Sequence, residues 1–167
     1  MLTKPQLKKN TVSSPSVMQC SYIKEVTMES KKYLAVDYGD ARTGLAVSDI
    51  TGFLASGIGC IQCKGMRSTA ERVAQAAKEQ NVVGIIVGLP KNMDGSEGFR
   101  AQAARAFVDI LSQYTSLPIE MYDERLTTVE AHDYLSATNV RGKKRKETID
   151  TLSAQILLQD WLDSKKC

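Results

Sequence analysis

The sequence predicts an α/β fold: a mixed sheet that opens with three short antiparallel strands and continues with alternating helices and strands, so that helices cover both faces. Two observations carry this. Short apolar runs separated by tight, glycine-marked connections fill residues 33–62, as in an antiparallel meander. From Met66 onward the apolar period alternates between helical stripes and strand-length runs, and the order becomes β-β-β-α-β-α-β-α-α.

Each element has its own warrant. Tyr33-Leu34-Ala35-Val36 is a strand-length apolar run that ends on Asp37. Gly39 and Gly44 punctuate the next stretch, Leu45-Ala46-Val47 repeats the run, and Gly57 to Gln62 alternates less cleanly as a third strand. Met66, Ala70, Val73, Ala74 and Ala77 recur on one helix face. Val82 to Val87 is continuously apolar, as expected of a strand covered on both sides. Ala103, Phe107, Ile110, Leu111 and Tyr114 repeat the helical template, and Pro118 to Tyr122 reads as the fifth strand. Thr127 and Glu130 have capping-box spacing, which starts a helix running to about Ala137. A last helix is expected from about Thr148 to Asp163.

The 167 residues suit one domain, placed at residues 31–167. Residues 1–30 are polar and turn-rich without a sustained period, and are expected to be a disordered extension or a consequence of a start upstream of Met28. Apolar content of 43% and charged content of 25% are those of a globular protein. There is no membrane-length apolar run and no signal-like segment, so a cytoplasmic protein is expected. The net charge is +3, and two of those charges come from residues 1–30, so only a local cluster can argue for nucleic acid. Cys60 and Cys63 form a lone C-x-x-C, Cys20 and Cys167 lie near the ends, and His132 is the single histidine. Structural zinc needs paired ligand spacing, so the thiols are expected to be small strand residues in a reducing compartment.

Three acids stand out. Asp150 shares a helix face with Ala154, Leu157, Leu158 and Trp161, and a carboxylate on an apolar face needs a proton, a partner or a metal. The alternative is an acid in a first helical turn, favoured by the dipole. Asp37 closes an apolar strand, where open sheets place ligands, or else starts a turn. Asp123 and Glu124 follow the fifth strand, and alternation does not choose between them. Three carboxylates brought together would repel without a cation, and Mg²⁺ or Mn²⁺ suits hard oxygen ligands. Two such ions can serve the attacking and leaving oxygens of a phosphodiester.

Two further segments bear on phosphate. Gly88 to Ser96 links a strand to a helix and has backbone N–H groups that could approach a phosphate, although it lacks the P-loop pattern. A plain connecting loop, with Asp94 or Ser96 as a cap, is the other reading. Arg141, Lys143, Lys144, Arg145 and Lys146 form a basic run ahead of Asp150, expected as a loop against nucleic-acid backbone. No aromatic is interleaved with it, which favours backbone or shape reading over base stacking.

Val36-Asp37-Tyr38-Gly39, the segment Arg42 to Asp49, Val87-Gly88-Leu89-Pro90, Asn92-Met93-Asp94-Gly95, Asp123 to Thr128, and Ile149-Asp150 after the basic run together resemble the YqgF/RuvX family. The resemblance covers about residues 32–163. It implies an RNase H-like fold with a five-stranded mixed sheet, and divalent-metal nuclease chemistry carried by Asp37, Glu124 and Asp150. In that chemistry Asp37 would bridge two ions, Glu124 and Asp150 would complete the shell, and Arg42, Arg125 and the basic run would meet phosphates. The implied role is trimming the 5′ end of precursor 16S rRNA, in contact with a ribosomal precursor particle, as a monomer or homodimer. Resolution of Holliday junctions and non-catalytic rRNA binding are the rival roles. Lys91 departs from the family pattern, which often has an apolar residue there. Asp37-Tyr38-Gly39 with Gly44 also resembles the phosphate-binding turn of the actin and sugar-kinase group, but those enzymes close two domains on a nucleotide.

Overall fold

The computed structural model describes residues 31–92, 94–123 and 143–166. Strand β1 (Tyr33–Tyr38) turns tightly at Gly39–Ala41 into the antiparallel β2 (Arg42–Ser48), which pairs in turn with the antiparallel β3 (Ala55–Gln62). Helix α1 (Met66–Glu79) leads back to β4 (Gly84–Leu89), parallel to β1, and α2 (Phe99–Leu111) leads to β5 (Ile119–Asp123), parallel to β4. Helix α3 (Lys143–Ser164) closes the described chain. The sheet has five strands in the order β3-β2-β1-β4-β5, with β1 at its centre.

Alternation along the central strands divides the core in two. Leu34, Val36, Leu45, Val47, Ile85 and Val87 point to the side covered by α1 and α2, where Val73, Phe107 and Leu111 fill the layer. Ala35, Ala46, Ala55 and Ile86 point to the other side, where α3 presents Ala154, Leu157, Leu158 and Trp161. Every residue of β4 is buried, as its unbroken apolar run requires.

The five strands fall on the five expected runs, with β4 displaced toward Leu89. One boundary differs in a way that matters. Helix α3 begins at Lys143, not near Thr148, so Lys143 to Lys146 lie in its opening turns instead of a loop. Lysine and arginine are good helix formers, and that local preference outweighs their mutual repulsion here. Asp150 therefore sits in the helix interior, and an acid placed to meet the helix dipole no longer accounts for it. The expected helix from Thr127 to Ala137 lies outside the described residues, as do Glu124, Arg125 and Arg141. Among the described residues no helix is long and apolar enough to cross a membrane.

Candidate active site

The site forms at the end of β1, where two glycines open the sheet. Asp37 follows Val36, which faces α1 and α2, so the pleat turns Asp37 toward α3. Its register partner on β2 is Gly44, and Gly44 pairs with Cys60 on β3. A Cβ built at Gly44 would run into the backbone carbonyl of Asp150, and one at Gly57 would lie 2.5 Å from Thr151 Cγ2. Absent side chains at Gly44 and Gly57 thus let the α3 backbone rest directly on β2 and β3. The buried α3 stripe fixes the helix rotation, and Asp150 arrives over the sheet as that stripe's polar end.

Asp37 and Asp150 line one cleft of about 390 Å³, together with the Tyr38–Arg42 turn, Pro90, Arg100 and Ser153. Arg42 Nε donates to Asp150 Oδ2 at 2.5 Å, with side chains 21% and 27% exposed. Burial, and then the charge of Asp150, push the Asp37 carboxyl up to about 6, while the Arg100 guanidinium pulls the other way. Two carboxylates therefore share a partly dry cleft with their charge incompletely balanced. That hard-oxygen donor pair fits a divalent cation such as Mg²⁺ or Mn²⁺, which would offset the burial and the repulsion that raise the Asp37 carboxyl. Among the described residues no group of three His, Cys, Asp or Glu side chains stands close enough to hold a metal, and Glu124, expected as the third acid, lies outside them.

Of the other expected site residues, Arg42 reaches the cleft through Asp150. Lys146 is exposed near the start of α3, and the side chains of Lys143, Lys144 and Arg145 lie outside the described residues. Asp123 closes β5 and takes an ion pair from Lys91 Nζ at 3.7 Å, so the lysine that departs from the family pattern meets the acid beside Glu124. The Gly88–Ser96 loop, one candidate for approaching a phosphate, uses three of its described N–H donors internally. The N–H of Asn92 donates to Ser96 O, that of Gly95 to Asn92 O, and that of Ser96 to Asp94 Oδ1, so these donors are spent within the loop. Neither Asp94 nor Ser96 caps α2, whose N-cap is Gly98 without a side-chain hydrogen bond.

Cys60 and Cys63 are free thiols. Cys63 Sγ lies 3.2 Å from Thr43 Oγ1 and donates to Gly39 O at 3.4 Å, bracing the turn after Asp37. Burial, aided by Glu147 and Asp150, pushes the Cys60 thiol up, the opposite of what a nucleophile needs. Arg100 is the cleft residue that sequence reasoning missed. It lies at the solvent-exposed start of α2, ahead of the apolar stripe from which that helix was recognised. Its spacing from Phe107 and Leu111 put it on the buried side of the helix, which was the available signal.

Residues 31–164 match the family model described as "RuvX: Holliday junction resolvase". A protein of Ligilactobacillus salivarius (strain UCC118) is 41% identical over 137 residues, spanning 80% of this chain and 93% of its own length. One from Thermoanaerobacter pseudethanolicus is 43% identical over 136 residues, spanning 81% and 98%. One from Bradyrhizobium sp. (strain BTAi1) is 44% identical over 130 residues, spanning 78% and 81%. All three carry the name "Putative pre-16S rRNA nuclease". Among solved structures, the Fowlpox virus resolvase in complex with substrate Holliday junction DNA superposes with a TM-score of 0.51 at 12% identity, covering 80% of this chain and 98% of that one. That likeness is one of fold, the RNase H-like arrangement implied by the sequence resemblance.

Proposed function

The chain belongs to the RuvX family, and from that premise we propose that it is a metal-dependent nuclease whose substrate is precursor 16S rRNA, trimmed at its 5′ end. The observation that carries the reading is the meeting of Asp37 and Asp150 in one cleft that Arg42 and Arg100 also line. Acids and guanidinium groups lining the same cleft suit a phosphodiester drawn in over a cation. The pre-16S rRNA nuclease names of relatives at about 40% identity support RNA as the substrate. The family model's own description supports a second reading, resolution of four-way DNA junctions. Residues 31–167 are read as the nuclease domain and residues 1–30 as an extension to it.

In this mechanism Asp37 and Asp150, with Glu124 from the segment that follows β5 in sequence, would hold the divalent metal. When bound, the metal supplies Lewis-acid polarisation of the phosphoryl oxygens and lowers the pKa of the attacking water. Arg100 offsets negative charge brought beside Asp37 by the substrate. Arg42, paired with Asp150 through Nε, presents its remaining donors to the approaching backbone. The Cys63-braced turn holds Gly39 to Arg42 in place while the phosphate docks.

The test is cleavage of a labelled pre-16S 5′ leader RNA and a four-way DNA junction, with Mg²⁺ or Mn²⁺, by wild type, Asp37→Asn and Asp150→Asn. The expected result is metal-dependent RNA cutting that falls more than about 100-fold in both variants, the scale of losing a group that acts on the transition state. Cutting of the junction alone moves the protein to DNA recombination. Binding without cutting, unchanged in both variants, makes it an rRNA-binding factor.

A further inference from the structure

We propose that Phe99 and Arg100, at the start of α2, form a subsite for an unpaired nucleotide beside the Asp37–Asp150 cleft, the Phe99 ring stacking on the base and the Arg100 guanidinium meeting the phosphate. The reaction at this subsite rests on the nuclease reading above; the binding does not.

Phe99 is 79% exposed, more than any other large apolar side chain among the described residues. The α2 stripe that packs on the sheet is Ala101, Ala104, Phe107 and Leu111, and Phe99 is not part of it. Arg100 lines the cleft, and its charge acts on Asp37. Ala103, which lines the same cleft, stands four residues after Phe99 and three after Arg100, so both side chains leave the helix on the side of Ala103.

The exposure of Phe99 does not come from a slack loop. Asn92 Nδ2 donates to Ser96 Oγ at 2.9 Å, and Ser96 Oγ donates to Asp94 Oδ1 at 2.6 Å. Arg105 grips Glu97 with two hydrogen bonds, Nε to Oε2 at 2.8 Å and Nη2 to Oε1 at 2.5 Å. The segment leading into α2 is thus braced to itself and to the helix, and the ring is held out in water before any ligand arrives, which lowers the ordering penalty of binding. An aromatic face beside a cation is the combination that takes single-stranded nucleic acid, because every base has a π-face and stacking tolerates sequence. Bases inside a duplex are already stacked, so the ligand is an unpaired segment. The basic run has no interleaved aromatic; the fold supplies one from a different element.

The test uses the full chain in EDTA, so that binding is read without cleavage. Probes are a short labelled single-stranded RNA, the matching DNA strand and a blunt duplex. Phe99→Ala is expected to weaken binding of both single strands by roughly 5- to 150-fold, the range of base–aromatic stacking, and to leave the duplex unchanged. Phe99→Trp is expected to keep affinity and to lose fluorescence when a single strand is added, since the one native tryptophan, Trp161, is only 4% exposed. Arg100→Gln is expected to weaken single strands and to flatten their salt dependence. Unchanged single-strand affinity in Phe99→Ala, or an equal loss for strand and duplex in a variant with wild-type circular dichroism, overturns the subsite, as does wild type that binds no single strand. A repeat with Mn²⁺ separates the two readings. Wild type that binds through Phe99 but cuts nothing overturns the nuclease reading and keeps the subsite; Phe99→Ala that cuts the single-stranded leader RNA like wild type overturns the subsite and keeps the nuclease.

Discussion

The two faces of the sheet are built on opposite principles. The face under α1 and α2 carries Leu34, Val36, Leu45, Val47, Ile85 and Val87, and is filled from above by Val73, Phe107 and Leu111. The face under α3 carries mostly small residues, Ala35, Gly44, Ala46, Ala55 and Gly57, with Ile86 a large exception. Large side chains hold the first helices off the sheet and give stability through buried area. Small ones let the α3 backbone settle onto β2 and β3, and that close approach brings Asp150 to Asp37. The candidate site lies where volume has been removed, and the layer behind it keeps the fold together.

One pair of substitutions can break this contrast. Leu111→Ala, at a fully buried position on the α2 side, should lower unfolding free energy by about 2–5 kcal/mol and leave cleavage per folded molecule intact. Gly44→Ala adds a single methyl, yet it meets the immovable backbone of Asp150 and forces α3 away. It should cost about 1–3 kcal/mol of stability and about 100-fold in cleavage rate, because catalytic groups tolerate little misplacement. Urea unfolding alongside single-turnover cleavage checks both. Equal activity losses in the two variants would dissolve the division of labour between the faces.

The same contrast governs what could be read from sequence. The α1 and α2 face was legible because branched apolar residues at strand and helix spacing leave a period, and all five strands fall where those runs predict. Asp150 was legible as an acid on an apolar stripe. The glycines were visible only as punctuation, since a close approach between helix and strand depends on register, which composition does not carry. The start of α3 was misplaced because a basic run reads as a loop, although its residues favour helix. Arg100 escaped notice because the α2 stripe begins after it, and Phe99 because an exposed aromatic carries no period.

A smaller effect sharpens the comparison with the opposite sign. The folded Asp37 carboxyl holds its proton up to about pH 6, whereas the ordinary value is 3.8. Between those values the folded state binds more protons than the unfolded, so this group's contribution to stability falls as pH rises and stays low above pH 6. The full deficit is on the order of 2–3 kcal/mol. Asp37→Asn cannot ionise, and it should be more stable than wild type at pH 8 in EDTA, by an amount that shrinks to nothing below about pH 4. Mg²⁺ or Mn²⁺ should raise the melting temperature of wild type and leave the variant nearly unmoved. A site that buries one carboxylate beside another should lose stability by that burial and crowding; a variant no more stable than wild type would mean that both are already compensated.

The smallest effect concerns Arg42, which sits between the two roles of the α3 face. Its pair with Asp150 is part-exposed, so losing it should change unfolding free energy by less than about 1 kcal/mol. The consequence for metal is larger than that figure suggests. In the metal-free protein Arg42 Nε occupies one Asp150 oxygen and offsets the charge that pushes the Asp37 carboxyl up. With Arg42→Gln the oxygen is released and the repulsion between the two acids is less compensated, and a divalent cation relieves more of it on binding. Linkage then requires tighter metal binding in the variant, by a few-fold for a coupling of about 1 kcal/mol. Titration of Mn²⁺ into both proteins, followed by melting temperature, reads this directly. Weaker binding in the variant would mean that Arg42 holds Asp150 in the geometry the metal needs, and that the ion pair positions the carboxylate instead of competing for it.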